Sequence, residues 1–508
     1  MIPVLKKLTG LYSWYVLVIL TLGYLTAELG HFLIGVTSKA TATDLRYGDI
    51  VCQHNFTEEQ YNFTLADNCN AALNESSCLA LELEDGQKYC EWGRNGLGIE
   101  YQIVAGPSFI AVYTIAGVFL GIAADKYRRI PMIAISVLVC GISVLLIGAS
   151  QEYWQLIILR MIFAAGEAAL NPMSTGVLSD IFPENLRGLV MSIFNWGIYG
   201  GIGLTYPIGR YITNLNAWDL GWRVSYYGSG IFAIIIGFLS STTLKEPART
   251  AIGEEQEENK TETKQGEKVK KENPWKVMLQ PRFIMLCIAA SIRHTGGLCF
   301  AYNSDQFYRF VFPHINLGNW LFFVTFVIGG IGVLVGGYVS DKIVANMGIK
   351  SRVAVLAISQ LISTPFAFGS IYMGPTGAMI TLAISYLFAE MWFGILFAVL
   401  VEIVPLAVRS TTVGVFLFVM NNIGGNLPIL MEPIRKLTSF QDALAIFYAG
   451  AYLISSVLFA ITAMMMDPKK DKNAPDSQNM AGVDNKAFAN TELGNQPQVN
   501  KITESNYL

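Results

Sequence analysis

The sequence predicts an all-α integral membrane protein with twelve transmembrane helices in two pseudo-symmetric halves of six. Three observations carry this. The 508 residues are 53% hydrophobic and only 14% charged, against about 25% charged in a soluble domain, too little polar surface to cover a water-soluble body of this size. Twelve runs approach the roughly 20 apolar residues that cross a bilayer. Motifs of the first half recur in the second at a near-constant distance. The net charge of −3 gives no reason to expect a nucleic acid as partner.

The runs cover residues 12–36, 100–123, 131–150, 153–180, 188–212, 223–243, 282–310, 318–339, 351–372, 376–403, 410–433 and 443–466. No short apolar run with a small-residue cleavage site precedes the first, which therefore reads as a retained span. Lys6, Lys7, Lys126, Arg128, Arg129, Arg187, Lys342, Lys350, Arg352, Arg409 and Lys469 all fall on one side of an even-span arrangement, and such bases favour the cytoplasm. Both termini are expected there. The chain divides into a first half, 1–243, carrying an extracellular loop at 37–99; a Glu/Lys-rich cytoplasmic linker, 244–281; a second half, 282–466; and a disordered cytoplasmic tail, 467–508.

Loop 37–99 supports the same orientation. It holds Cys52, Cys69, Cys78 and Cys90, and the glycosylation sequons at Asn55, Asn62 and Asn74. Sequons are used, and thiols oxidise, outside the cytosol. Glycans, two disulfides of open pairing and a plasma-membrane rather than an endolysosomal location are expected. Cys140, Cys287 and Cys299 lie in apolar spans and read as packing residues.

The repeat is explicit. Gly121 stands four residues before Asp125 and Lys126, as Gly337 does before Asp341 and Lys342. "SDIFPENLRG" and "VEIVPLAVRS" pair Asp180 with Glu402, Pro183 with Pro405 and Arg187 with Arg409, each 222 residues apart. A period near 220 in a chain of twelve spans means two homologous halves.

The Gly-x-x-x-Asp-Lys loops, with "RMIFAAGEAALNP" from Arg160 to Pro172, resemble the signatures of the major facilitator superfamily. Within it, Gly166-Glu167-Ala168 and "GGYVSDKIVANMG" look most like the spinster-type lipid transporters or the organic-anion:cation symporters. Two positions depart from those patterns: Arg128 stands where the signature loop has Gly, and the first span reads "GYLTAELGHFLIG" without an Asp-Arg pair. The resemblance implies the major facilitator fold and transport by alternating access. It also implies a latch of the outward-facing state built from Gly121, Asp125, Lys126, Arg129, Arg187, Asp341, Lys342 and Arg409.

Charges inside spans are costly, by about 2.5–3.5 kcal/mol on insertion scales, and mark pathways. Glu28 and His31 share one face of the first span. Arg160 and Glu167 share one face of the fourth, roughly 10 Å apart along the axis. Arg293 and His294 lie mid-span in the seventh, Asp305 nearer its outer end, and Glu390 in the tenth. Glu167, at the position that the resemblance assigns to proton coupling, can be neutral or charged, because burial favours one form and Arg160 the other. Glu28 with His31 is a second candidate. Arg293 reads either as the counter-charge of an anionic substrate or as a partner of Glu390 or Glu28. Tyr24, Asn195, Trp196, Tyr302 and Asn303 are candidate cavity residues.

No Gly-x-x-x-x-Gly-Lys-Ser/Thr loop, metal-ligand cluster or hydrolase triad is visible, so no enzyme and no cofactor is expected beyond a coupling ion, H+ or Na+. The reading is a monomeric secondary active transporter of a small organic solute, an organic anion or a lysolipid. The alternative is a non-transporting membrane receptor on the same fold.

Overall fold

The computed structural model describes residues 10–54, 68–69, 71–72, 74–80, 88–247, 274–404 and 409–466. Asn55 and Asn62, most of the linker and the tail from 467 lie outside them, as do the side chains of Asp125, Lys126, Arg187 and Arg409.

Among the described residues, eleven helical spans are long and apolar enough to cross a membrane. They are Leu11–Leu45 (span 1), Ile99–Ala124 (span 2), Arg129–Ala149 (span 3), Tyr153–Ile181 (span 4), Arg223–Thr243 (span 6), Pro281–Val311 (span 7), Gly318–Val344 (span 8), Ile349–Tyr372 (span 9), Pro375–Leu400 (span 10), Thr412–Leu437 (span 11) and Phe440–Met465 (span 12). Span 5 is Glu184–Pro207, continued by a π-helical turn over Ile208–Ile212. It is less apolar because glycines serve its packing. A Cβ on Gly201 would meet the Leu25 carbonyl oxygen at 2.6 Å and Glu28 Cβ at 2.5 Å, and one on Gly197 would meet the Thr21 oxygen at 3.0 Å. Small residues let helix backbones approach this closely.

One expected boundary is corrected. Span 1 does not end at 36; it runs to Leu45 and stops at Arg46, whose φ of 57° is left-handed. The segment between spans 1 and 2 is therefore shorter than 37–99. It forms a cap in which β1 (Ile50–His54) pairs antiparallel with β2 (Cys90–Arg94). In the structure Cys52 pairs with Cys78 and Cys69 with Cys90, with Cα atoms 5.5 and 5.9 Å apart. Asn74 is exposed and caps the helix Glu75–Leu79 by accepting from Ser77 N at 2.8 Å.

The two halves meet at the cap end. Span 2 kinks at Gly106, just before Pro107, and there a Cβ on Gly106 would lie 3.0 Å from the Gly425 oxygen of span 11. A Cβ on Gly425 would lie 2.6 Å from Ile110. Toward the signature loops, Cβ atoms on Gly121 of span 2, Gly337 of span 8 and Gly414 of span 11 would meet nothing within 4 Å. Among the described residues, hydrogen bonds join the halves at the cap end and mid-span. The described contacts close the bundle at the cap end.

Candidate functional site

The fourth and tenth spans are each broken in the middle. Span 4 is helical over Tyr153–Glu167 and again from Leu170. Span 10 is helical over Pro375–Ala389 and again from Trp392, with Glu390 at φ −82°, ψ 1°. The breaks fall at equivalent places in the repeat: Glu167 stands thirteen residues before Asp180, and Glu390 twelve before Glu402. At each break a glutamate meets a basic side chain from the first span of its own half. Discontinuous helices of this kind build the midplane sites of transporters.

In the first half the partner is His31. Its Nδ1 lies 3.2 Å from Glu167 Oε1 and its Nε2 lies 3.0 Å from the Tyr302 hydroxyl of span 7. Glu28 joins them, the ligand-type atoms of Glu28, His31 and Glu167 all lying within 4.8 Å of one another. All three residues are buried, and Glu167 Oε2 has no hydrogen-bond partner. No such cluster is visible in the sequence, because His31 and Glu167 stand 136 residues apart.

Arg160 does not pair with Glu167, although both face the same way along span 4. Its Nη1 donates to the His31 carbonyl at 2.7 Å, its Nε to Val104 O at 3.2 Å and its Nη2 to Ala105 O at 3.3 Å. Val104 and Ala105 precede the kink at Gly106 and Pro107, where the regular helical bonding that satisfies carbonyls is interrupted. Arg160 thus ties spans 1, 2 and 4 together behind the cluster, and its guanidinium also lies over the Phe109 ring.

In the second half the partner is Arg293. Its Nη2 donates to Glu390 Oε1 at 3.1 Å and to Ala389 O at 2.7 Å, and its Nε to Gln360 Oε1 at 3.2 Å. The guanidinium lies over the Trp392 and Tyr452 rings. Glu390 also accepts from the Tyr199 hydroxyl of span 5 at 3.0 Å, which crosses between halves. His294 is held nearby, against Trp392. Of the other cavity candidates, Tyr24 accepts from Asn171 Nδ2 at 3.1 Å, and Trp196 donates to Phe326 O at 2.9 Å.

The seal at the cap end is a set of polar contacts that joins Asp305, Tyr302 and Asn303, named from the sequence, to Arg210, Arg309, Tyr101 and Gln102, which were not. Arg210 Nε donates to Asp305 Oδ1 at 2.7 Å and its Nη1 to Asn316 Oδ1 at 2.8 Å. Arg309 Nε lies 2.7 Å from Asp305 Oδ2. Tyr101 donates to the Tyr302 carbonyl at 2.5 Å, and Gln102 Nε2 to Asn303 Oδ1 at 2.8 Å. In the cap, Asp49 takes Arg435 at 2.8 Å and Lys436 at 3.0 Å. Arg210 was findable: it is a base inside a run read as membrane-spanning.

At the signature-loop end, ion pairs join neighbouring segments. Arg129 binds Asp180 at 2.5 Å and Glu246 at 3.4 Å. In the second half Arg352 binds Asp341 at 2.6 Å and Glu402, the repeat partner of Asp180, at 2.9 Å. Lys342 is exposed, 6.0 Å from the Tyr338 ring centre.

The family model described as Major Facilitator Superfamily matches residues 8–427. The chain belongs to the Major Facilitator Superfamily. Among its relatives, the probable sphingolipid transporter spinster homolog 1 of Arabidopsis thaliana is 23% identical over 456 residues, covering 83% of this chain and 88% of the relative. The hexuronate transporter of Bacillus subtilis (strain 168) is 24% identical over 372 residues, covering 70% and 82%. A bacterial homologue of the human lysosomal transporter spinster, solved inward-facing and unoccupied, superimposes with a TM-score of 0.60 at 16% identity over 90% of this chain and 96% of that one. This member of the superfamily is a multi-pass membrane protein and a secondary transporter of small organic solutes, not an enzyme.

Proposed function

We propose that transport is driven by protons that bind at His31 and Glu167, and that the solute is an organic anion whose acidic group is received at Arg293. The observation that carries the proton reading is the His31 imidazole, held between Glu167 of one half and Tyr302 of the other. A neutral imidazole has one N–H. With Glu167 ionised, Nδ1–H donates to it and Nε2 accepts from Tyr302. With a proton added to the pair, Nε2–H donates to Tyr302 instead. The backbone carbonyl of Tyr302 accepts from Tyr101 at the seal, so the residue that meets His31 also belongs to the contacts that close the cap end. Glu28, Tyr24, Tyr113 and Arg160 are the other ionisable groups around the pair.

Arg293 is the cation that an anion can reach by displacing Glu390, the one side-chain carboxylate bonded to it. The hexuronate relative carries a carboxylate substrate by its name; the spinster relative supports a lysolipid with an anionic headgroup as the second class to assay. We place the cap outside the cell and both termini in the cytoplasm, with the halves in the inward-facing arrangement. The exposed sequon residue Asn74 and the paired cap cysteines support that orientation.

The test is uptake into proteoliposomes. Glu167→Gln keeps the side chain's size and mimics its protonated form. Uptake driven by a pH gradient is expected to collapse while solute exchange without a gradient survives. Gradient-driven uptake at wild-type level in folded Glu167→Gln protein would remove the coupling role. A panel of hexuronates, dicarboxylates and lysophospholipids tests the substrate class, and binding without flux for every member would favour the receptor alternative.

A further inference from the structure

We propose that Glu28, His31 and Glu167 form a binding site for a divalent first-row transition cation, which occupies the cluster in place of the proton. The inference rests on reading this cluster as the cation site of the transporter, and it adds a second class of ligand to it.

The geometry supplies three ligands of the right kind. Two carboxylates and one imidazole suit borderline divalent ions such as Zn2+, Co2+ or Mn2+, and lack the thiolates that softer ions choose. A tetrahedral zinc with bonds of about 2.0–2.1 Å has neighbouring ligand atoms about 3.3–3.4 Å apart. His31 Nδ1 and Glu167 Oε1 stand 3.2 Å apart. The Glu28 ligand atom lies within 4.8 Å of both, so a small side-chain rotation closes the third edge.

Two further observations point to a ligand rather than to a packed acid pair. Glu167 Oε2 is buried without a hydrogen-bond partner, on a side chain only 4% exposed. A buried carboxylate oxygen without a donor is costly, and a cation satisfies it directly. The second ring nitrogen of His31 faces the Tyr302 hydroxyl at 3.0 Å. Metal-bound imidazoles characteristically give their other N–H to such an acceptor, which fixes the tautomer and aims the lone pair at the ion. With Nε2–H on Tyr302 the Nδ1 lone pair faces Glu167, and a cation between them satisfies both; the opposite tautomer, with Nδ1–H on Glu167, is the metal-free form. Arg160 makes no hydrogen bond to Glu167; its three nitrogens donate to the carbonyls of His31, Val104 and Ala105. The fourth position of the ion stays open for water, as in metal sites that exchange their ligands.

The experiment uses tag-free, full-length protein, stripped with chelator in detergent at neutral pH and titrated with Co2+ alone. One ion per chain is expected, with visible d–d absorption of tetrahedral character that Zn2+ abolishes by displacement. Zn2+ should also raise the melting temperature of the wild type. Separately, Glu28→Gln, His31→Gln and Glu167→Gln should each weaken Co2+ binding at least tenfold, while His314→Gln, outside the cluster, should not. Wild-type protein that binds no Co2+, or binding that survives all three cluster substitutions, would overturn the proposal. The wild-type titration decides even if a variant fails to fold. The result is also separable from the proton reading: metal-free vesicles can retain pH-driven uptake when no cation binds, and Co2+ can bind when pH-driven uptake is absent.

Discussion

A methyl group on span 11 should move the transporter from one arrangement to the other. Gly425 carries no side chain, and a Cβ there would sit 2.6 Å from both Ile110 Cγ1 and Cδ1 and 3.1 Å from Cγ2. Those approaches exist only while the cap end is closed. Gly425→Ala therefore overpacks one state and leaves the other untouched, at a cost of about 1–3 kcal/mol, which is about a 5- to 150-fold shift in the equilibrium. A Cβ on Gly414, farther along the same helix toward the signature loops, would meet nothing within 4 Å, so a cysteine there is accommodated and its alkylation rate is the readout of access to that end. The free native cysteines Cys140, Cys287 and Cys299 are buried and give a low background. In Gly414→Cys protein, alkylation by a membrane-impermeant maleimide should be fast. Adding Gly425→Ala should slow it by a factor within that range. An unchanged or faster rate, in a variant that elutes as folded protein, would refute the claim that spans 2 and 11 form the contact that exchanges between states.

Tyr302→Phe keeps the ring but removes the hydroxyl that meets His31, so the ratio of pH-driven uptake to exchange should fall while substrate affinity changes little; a ratio equal to wild type would separate the seal from the proton site. Arg129→Met leaves Asp180 and Glu246 facing each other with side chains 4% and 14% exposed, and a broken buried pair costs about 3–5 kcal/mol. Arg352→Met should cost less, because its partners Asp341 and Glu402 are 71% and 29% exposed; thermal unfolding followed by size-exclusion fluorescence ranks the two. Asn74→Gln should remove one step of glycosidase-sensitive mobility on a gel from a eukaryotic host, and no change would count against an outside cap.

The spans, the repeat and the set of intramembrane charges were legible because each is a local pattern: a run of apolar residues, a recurring motif, a charge where none is cheap. The end of span 1 was not. "TSKATATDL" looks like a polar loop, yet Thr37, Thr41 and Thr43 bond their hydroxyls to the carbonyls of Leu33, Ser38 and Lys39, and the helix runs on to Leu45. The partner of Arg160 was not legible either. Same-face spacing placed it with Glu167, but the kink at Gly106 offers carbonyls nearer by, and a guanidinium with five donors takes them. Arg210 hid at the end of the least apolar span, where a base reads as a boundary. What decides these cases is long-range contact, which spacing along one chain does not encode.

The two broken spans show how one inherited position came to hold two chemistries. In each half a glutamate at the break of the fourth span faces a base from the first span. In the second half that base is arginine, which stays charged. Glu390 is consequently matched: Arg293 and Tyr199 occupy both its oxygens. In the first half the base is histidine, whose charge changes within the physiological range. Glu167 is consequently unmatched, with one oxygen buried and bare. A permanent ion pair can exchange its carboxylate for that of a substrate at constant charge. A histidine–carboxylate pair can instead take up a cation. On this argument the different base met by each glutamate sorts the solute to one side of the cavity and the coupling ion to the other. Replacing His31 by arginine should then make the first half resemble the second. The prediction is a protein that still binds solute and exchanges it, but no longer responds to a pH gradient. A gradient response surviving in His31→Arg would mean that the proton travels by another route, and that the symmetry of the breaks is structural only.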